Sequence, residues 1–132
     1  TAHESMISGA TEMIGGGSGT PRSEFLHVDD AADALVHLMT HYSADTHVNV
    51  GFGSDISIVE LAKLIARVVG FTGRIVMDAS KPDGTPRKLL NTDKLASLGW
   101  HSTISLDEGL ASTYQWFVDH FTEEKTKRSV RA

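Results

Sequence analysis

The chain has 132 residues, enough for one domain with a hydrophobic core, and no stretch of it is apolar enough to cross a bilayer. Its 17 acidic and 12 basic residues give a formal net charge of −5, so neither a nucleic acid nor a membrane is an expected partner. The absence of cysteine excludes disulfides and thiolate chemistry and agrees with a cytoplasmic protein.

The first part of the chain alternates between extended and helical patterns. After a helix-compatible start, "TEMIGGGSGTPRS" predicts a short apolar edge and a glycine-rich turn, and "EFLHV" at 24–28 predicts a strand. "DDAADALVHLMTHY" then has helical periodicity, with Asp29 and Asp30 at the end where carboxylates cap a helix and complement its dipole. The face predicted to be buried contains Ala31, Ala34, Leu35, Leu38, Met39 and Tyr42.

The middle of the chain contains the clearest helix. "THVNVGFG" predicts a strand, because Val48 and Val50 alternate with polar residues before a glycine. "SIVELAKLIARVVG" follows, with a capping box formed by Ser57 and Glu60 and with Gly70 as the residue that ends the helix. "GRIVM" predicts the next strand. The buried stripe of the helix is predicted to be Ile58, Leu61, Ile65 and Val68.

Two more helices are predicted near the C-terminus. "TDKLASLGW" is a short helix ended by Gly99, and "SLDEGLASTYQWFVDHF" is a helix with a second capping box at Ser105 and Glu108. The stripe of this last helix is predicted to be Leu106, Leu110, Tyr114 and Phe117. The alternation of strands and helices predicts an α/β fold, and the polar end "TEEKTKRSV" is expected to fray.

Common catalytic and metal-binding patterns are incomplete in this sequence. Gly15 and Gly17 lack the third glycine of a dinucleotide fingerprint, and no Gly-Lys-Ser/Thr follows, so the glycine run is interpreted as a flexible turn. His37 and His41 have a spacing that zinc ligands use, but no third ligand is evident and no metal site is expected. The G-x-S-x-G elbow of a hydrolase is also missing.

The loop "DASKPDGTPRKLL" is the strongest candidate for a binding site. Two prolines and a glycine restrict its backbone, and a stiffened loop loses less entropy when a ligand binds. Lys81, Arg87 and Lys88 are able to neutralise a diphosphate, and Asp83 is able to accept hydrogen bonds from sugar hydroxyls or a base edge. By composition alone, the alternative is a charged loop in contact with solvent.

This loop resembles the C-terminal portion of the GDP-L-fucose synthase family, which belongs to the extended short-chain dehydrogenase/reductases. So do "GSGTP" with "EFLHVDDAADA", "HVNVG", "LAKLIARVVGFTGRIVMDASKPDG" and "LGWHSTISLDEGLASTYQWF". The resemblance runs from about His3 to Phe117. It implies a partial substrate-binding domain at 1–121, a polar tail at 122–132, and no N-terminal Rossmann half.

The resemblance also implies a substrate and a site. The family converts GDP-4-keto-6-deoxy-mannose to GDP-L-fucose with NADPH, and Asp83 and Lys88 match its substrate-contacting positions. Arg87 and Lys81 match the motif, and Arg22 is a candidate substitute for a family arginine. NADP is the cofactor of the intact family, but none is expected to bind this chain alone, because the fingerprint and the catalytic Tyr-x-x-x-Lys pair are absent.

The sequence departs from the family pattern at three substrate-pocket positions. Gly16 stands where the family has tryptophan, and Ser23 and Thr1 stand where it has arginine. Arg22 is one residue away from Ser23, and a shift of one residue in a strand turns a side chain to the opposite face. Any GDP-sugar is therefore expected to bind weakly.

The leading interpretation is a C-terminal fragment or remnant of a GDP-L-fucose synthase that is inactive alone. Two alternatives stay open, a non-catalytic binding or oligomerisation module and one chain of a split enzyme. Self-association is expected, because apolar residues that pack against an N-terminal half would otherwise face water. The expected partners are thus a weakly bound GDP-sugar, a second copy of the chain or a separate N-terminal half.

Overall fold

The computed structural model describes residues 2–129 and confirms an α/β fold. Its elements are α1 (Ala2–Ile7), β1 (Glu12–Gly16), β2 (Arg22–Ser23), α2 (Val28–His41), β3 (Ile56–Ser57), α3 (Ile58–Val69), β4 (Arg74–Asp78), β5 (Arg87–Lys88), α4 (Asp93–Ser97) and α5 (Leu106–Ser129). None of the helices in this range combines the length and apolarity that a bilayer crossing requires. α5 crosses the predicted boundary at residue 121 and continues through Ser129. The division into a domain at 1–121 and a tail at 122–132 therefore stays a prediction.

Two small sheets bring distant parts of the chain together. β1 pairs in parallel with β4, from Glu12 opposite Arg74 to Gly16 opposite Asp78. The second sheet has the order β3-β2-β5, in which β2 is antiparallel to β3 and parallel to β5. Because β1 leads to β2 and β4 leads to β5, the connections 17–21 and 79–86 run side by side between the sheets.

The predicted ends of α3 and the predicted start of α5 are confirmed, but α2 is capped by His27 and not by Asp29 or Asp30. Both capping boxes are confirmed: the Ser57 hydroxyl accepts from the Glu60 amide at 3.3 Å, and the Glu60 carboxylate accepts from the Ser57 amide at 3.1 Å. Ser105 and Glu108 make the same pair of bonds, at 3.3 and 3.1 Å. Gly70 ends α3 in the left-handed conformation, with φ of 75°, as a C-terminal glycine does.

The helices pack around two hydrophobic clusters. The first has Ala34, Leu95 and Trp100 at its centre, and the Trp100 indole N–H donates to Asp33 at 2.8 Å. Half-buried Leu26, Leu38, Val48 and Val50 pack against this cluster. The second has Ala66, Val69 and Phe71 at its centre and includes Tyr114 of α5, so α3 and α5 share it. The first cluster joins α2 to α4, and the second joins α3 to α5.

Two predicted strands are wrong. Instead of a strand at 24–28, β2 contains only Arg22–Ser23, and the chain then runs irregularly to His27, whose side chain caps α2 by accepting from the Asp29 amide at 3.2 Å. The segment 47–50 pairs with no other strand in the described range. Val48 and Val50 still pack on the first cluster, as the predicted alternation of apolar and polar residues requires. Among the described residues, the segment lacks only a neighbouring strand with which to pair.

The predicted buried faces are only partly correct. In α2, Ala34 is buried as predicted, but Leu35 and Met39 are 59% and 84% exposed. Val28 and Val36 are exposed as well, by 71% and 61%, so α2 has a second apolar face that points to solvent. α3 buries Leu64, Ala66 and Val69, whereas all four residues of its predicted stripe are half-buried.

Candidate functional site

The candidate site lies where the connections 17–21 and 79–86 run side by side. Asp78, the last residue of β4, anchors both: its backbone oxygen accepts from the amides of Gly17 at 2.9 Å and Lys81 at 3.1 Å. Its carboxylate accepts from the Ser80 amide at 3.0 Å and hydroxyl at 2.6 Å. The site therefore begins at the carboxyl ends of the parallel strands β1 and β4, the edge where α/β proteins commonly bind ligands.

Asp83 joins the predicted loop to the glycine-rich turn. One carboxylate oxygen accepts from the Ser18 amide at 2.7 Å, and the other accepts from the Ser18 hydroxyl at 2.7 Å. Gly17 makes this approach feasible, because its φ is 86° and a β-carbon at this position would lie 2.5 Å from Asp83 Oδ1. Glycine at position 17 is therefore favoured by the close packing of the two loops.

The pairing of β2 with β5 divides the predicted cations between two sides. Arg22 lies opposite Arg87, and Ser23 lies opposite Lys88. Ser23 and Lys88 line a cleft of about 190 Å³ together with Gly16, Gly19, Pro21, Ile58, Pro82, Asp83, Gly84 and Thr85. Because successive side chains of a strand point to opposite faces, Arg22 and Arg87 lie on the other side of the sheet.

Asp55 holds both arginines on that other side. Arg22 Nε donates to one carboxylate oxygen at 2.7 Å and Arg87 Nε to the other at 2.5 Å, while the Asp55 side chain is only 6% exposed. The hydrogen bonds from Arg22 and Arg87 lower the pKa of Asp55, and the hydrogen bond to Asp55 raises the pKa of Arg22. Both arginines are thus engaged within the protein, which leaves Lys88 as the cation of the cleft.

The five predicted substrate-binding residues therefore occupy different places. Asp83 and Lys88 line the cleft. Lys81 lies beside it, because Gly16 lines the cleft and a β-carbon built on Gly16 would be 3.7 Å from Lys81 Cβ. Their roles in ligand binding, like those of Arg22 and Arg87, stay predictions. Gly16 and Ser23, two of the three predicted departures from the family pattern, both line the cleft. Thr1, the third departure, lies outside the described residues.

Sequence reasoning missed two carboxylates that organise the region, Glu24 and Asp55, and it gave Asp30 the role of a helix cap instead of its bonds to Thr103 and Ile104. The Glu24 carboxylate accepts from the amides of Phe52 and Gly53, both at 3.1 Å, and from that of Leu90 at 2.7 Å. It thereby ties the chain after β2 to two other segments. Its nearest partner is 28 residues away in sequence, so no local pattern could have identified this role.

The histidines do not form a metal centre within the described part of the chain. No group of three histidine, cysteine, aspartate or glutamate side chains is arranged to hold a metal ion there. His37 and His41 stack with their ring centroids 4.2 Å apart, and His37 Nε2 lies 2.8 Å from the Leu98 carbonyl oxygen. These contacts account for both rings as parts of the helix packing.

Known proteins resemble this chain over nearly its whole length. The sequence profile of the NAD dependent epimerase/dehydratase family matches residues 2–51. The probable GDP-L-fucose synthase 1 of Oryza sativa subsp. japonica is 52% identical over 123 residues, which cover 93% of this chain and 38% of the rice protein. The GDP-L-fucose synthase of Escherichia coli (strain K12) is 52% identical over 127 residues, covering 89% and 40%. The chain is a homologue of the GDP-L-fucose synthases.

Solved structures agree with this relationship. The NADP-bound GDP-L-fucose synthetase from Naegleria fowleri matches with a TM-score of 0.86 and 27% identity, covering 92% of this chain and 38% of that protein. A GDP-6-OMe-4-keto-L-xylo-heptose reductase from C. jejuni matches with a TM-score of 0.77 and 35% identity, covering 83% and 34%. This GDP-L-fucose synthase homologue corresponds to the C-terminal portion of an extended short-chain dehydrogenase/reductase, and it spans less than half the length of these relatives.

The N. fowleri enzyme was crystallised with NADP, but the described residues of this GDP-L-fucose synthase homologue do not fit a dinucleotide. Such a fit requires a glycine turn that leads from a strand directly into a helix N-terminus, where the pyrophosphate is received. Here the glycine turn after β1 leads into strand β2, and Gly17 packs against Asp83.

Proposed function

We propose that this chain is the substrate-binding portion of a GDP-L-fucose synthase and that its cleft binds the diphosphate of a GDP-sugar. The complete reaction epimerises and reduces GDP-4-keto-6-deoxy-mannose with NADPH. The proton-transferring Tyr-x-x-x-Lys pair and the dinucleotide fingerprint of that reaction are absent from this sequence. The chain alone is therefore inactive, and its own contribution is to bind and orient the nucleotide-sugar.

The position of Lys88 is the observation that carries this proposal. Residues 79–90 contain three cations and one carboxylate, a local charge of +2 in a chain whose net charge is −5. Strand pairing directs Lys88 into the cleft, and Lys81 lies at its edge beside Gly16. Two ammonium groups beside an open cleft suit a diphosphate, which each would meet as a compact point charge.

The affinity should be low. Gly16 and Ser23 offer the cleft neither an aromatic ring nor a guanidinium, and each lost charge-assisted bond weakens binding by about 1.5–3 kcal/mol. We expect a dissociation constant for GDP in the high-micromolar range, about −5 to −6 kcal/mol. Binding should weaken as salt is added, because charges exposed to solvent are screened over about 8–10 Å.

A titration of the 132-residue chain with GDP, followed by NMR, tests the proposal. Amide shifts should concentrate in residues 78–90 and in the glycine turn. Lys88→Ala should weaken binding roughly fivefold, the equivalent of about 1 kcal/mol for an exposed ion pair. Lys63→Ala, an exposed lysine on α3, is the matched control and should leave binding unchanged. No shifts at millimolar GDP, or equal losses in both variants, would refute the proposal.

A second apolar surface favours an additional role in assembly. The α2 outer face, formed by Val28, Leu35, Val36 and Met39, is exposed, and Trp116 of α5 is 62% exposed. Val28 and Trp116 both line a cavity of about 540 Å³. Large exposed apolar patches usually mark interaction surfaces. Residues 47–50, which pair with no strand among the described residues, follow the same helix.

We propose that this surface binds the NADP-binding portion of a GDP-L-fucose synthase, on the same or on a separate polypeptide. The rice and E. coli relatives are matched over only 38% and 40% of their lengths, so most of such an enzyme lies outside the matched region. A helix with an outer apolar face, followed by a segment that alternates apolar and polar residues without a partner strand, is also what the edge of a larger α/β sheet provides.

Co-expression with the unmatched portion of the E. coli enzyme tests this assembly. A one-to-one complex that oxidises NADPH with the keto-sugar is expected, whereas this chain alone should show no turnover. Leu35→Asp with Met39→Asp should abolish the complex, and Ile14→Asp, which changes an equally exposed residue on β1, should not. A dimer of this chain that the same α2 substitutions dissociate would instead identify a second copy as the occupant. A complex without turnover would favour a non-catalytic module.

A further inference from the structure

Asp83 and Ser18 form a complete hydrogen-bonded unit between the two loops. The Ser18 amide and hydroxyl donate to separate oxygens of the Asp83 carboxylate, each at 2.7 Å. A hydroxyl has one hydrogen, so the Ser18 oxygen must accept from Thr20, whose amide lies at 3.1 Å and whose hydroxyl lies at 2.7 Å. Every hydrogen-bonding position of the Ser18 hydroxyl is therefore filled by the protein.

This unit lies in the middle of an exposed loop. All residues from 79 to 91 are exposed, so burial of side chains does little to hold this segment. The loop is anchored at its start by Asp78, whose backbone oxygen binds the Lys81 amide, and at its end by the pairing of β5 with β2. Between these anchors, the contact of Asp83 with Ser18 holds the loop against the glycine turn and closes one wall of the cleft.

We propose that Asp83 and Ser18 are positioning residues, which keep the cleft preformed so that Lys81 and Lys88 meet the diphosphate without a prior ordering of the loop. This inference rests on the proposed GDP-sugar function and gives Asp83 a different role from the sugar contact that the sequence resemblance implies. Without the unit, a ligand must itself order the loop, and that entropic cost reduces affinity.

Ligand-free measurements test the unit independently of GDP binding. In the wild-type chain, the Ser18 amide should exchange slowly with solvent, and the Gly84 amide should show the ¹⁵N relaxation of an ordered backbone. Ser18→Ala and Asp83→Ala should each make Gly84 mobile on the nanosecond timescale. The thermal midpoint should hardly change, because the loop is exposed. Ser43→Ala, which removes an exposed hydroxyl elsewhere, is the matched control and should change none of these signals.

GDP titrations of the same variants separate positioning from direct contact. Each single variant should weaken GDP binding roughly three- to tenfold, and the double variant should bind no more weakly than Asp83→Ala alone, because both changes break one unit. Guanosine, which lacks the diphosphate, should show no such difference. A loss for Asp83→Ala alone, or losses that multiply in the double variant, would identify a direct ligand contact and overturn the inference.

The two proposals fail in different ways. If wild-type protein shows no GDP binding, the proposed function fails, and the ligand-free relaxation data still decide whether the unit orders the loop. If Gly84 stays ordered in Asp83→Ala, the positioning role fails whatever the affinity for GDP, and the cleft proposal then rests on Lys88 alone.

Discussion

Replacement of Asp30 by alanine should destabilise this fold more than the loss of an exposed carboxylate. Asp30 is only 4% exposed. Its carboxylate accepts from the Thr103 amide at 3.1 Å, the Thr103 hydroxyl at 3.0 Å and the Ile104 amide at 2.9 Å. These bonds join the first turn of α2 to the segment that enters α5, so their loss affects the packing of both helices.

The expected magnitude follows from these three bonds. A hydrogen bond to a charged group contributes about 1.5–3 kcal/mol. Because Thr103 is exposed and Ile104 half-buried, water replaces part of the lost bonding, and we expect a decrease in the unfolding free energy of about 2–4 kcal/mol. For a chain of this size, that corresponds to a fall in thermal midpoint of roughly 6–16 °C.

Urea and thermal unfolding followed by circular dichroism provide the measurement. Asp29→Ala is the matched control, because its carboxylate is in the same helical turn but its side chain is 79% exposed. It should cost only about 0.3–1 kcal/mol through the helix dipole. If the Asp30 and Asp29 variants lose equal stability, the three bonds to Asp30 do not stabilise the fold and this reasoning is refuted.

The same residue predicts a pH dependence. Burial by itself raises the pKa of Asp30, but hydrogen bonds from Ile104 and Thr103 outweigh it, so the pKa lies below its ordinary value of 3.8. Such a group stabilises the folded state fully above its unfolded pKa and loses that contribution as the pH falls through the folded pKa. The stability difference between wild type and Asp30→Ala should thus be constant from about pH 7 to 5 and shrink below about pH 4.

Two further substitutions test the site. Gly17→Ala should cost about 1–3 kcal/mol and disturb the loop, because a β-carbon there would lie 2.5 Å from Asp83 Oδ1 at a φ of 86°. Gly9→Ala has a φ of 66° but open space, so it should cost only about 1 kcal/mol, and an equal loss in the two would remove the steric argument. Asp55→Ala should speed hydrogen exchange of the Arg22 amide, whose bond to a loop carbonyl is 2.9 Å, and unchanged exchange would contradict the role of Asp55.

Features that depend on neighbours in sequence were predictable. The capping boxes at Ser57 and Ser105 join residues three positions apart, and Gly70 acts through its own backbone conformation, so each is encoded in a few adjacent letters. The α/β class followed from alternating periodicities, and strand β4 from a run of apolar residues. The family resemblance added the location of the candidate loop.

Features that depend on distant partners were not predictable. The segment 47–50 has the alternation of a strand, but a strand also needs a neighbour, and the described residues provide none. Periodicity showed that α2 has apolar positions without showing that Leu35 and Met39 lie on its solvent side. Asp30, whose partners are 73 and 74 residues away, could not be distinguished from the adjacent, exposed Asp29 by any local pattern.

The candidate site combines both kinds of information. The letters "KPDGTPRK" placed three cations and one carboxylate in a stiff loop, which was enough to predict a preference for anions. The parallel pairing of β2 with β5 then decided which of these charges face the cleft, because alternation along a strand directs Lys88 to one side and Arg87 to the other. Asp55, far away in sequence, binds both arginines, and Ser18, equally distant from the loop, binds Asp83. A buried or closely packed charge requires a partner, and here only the tertiary structure provides it.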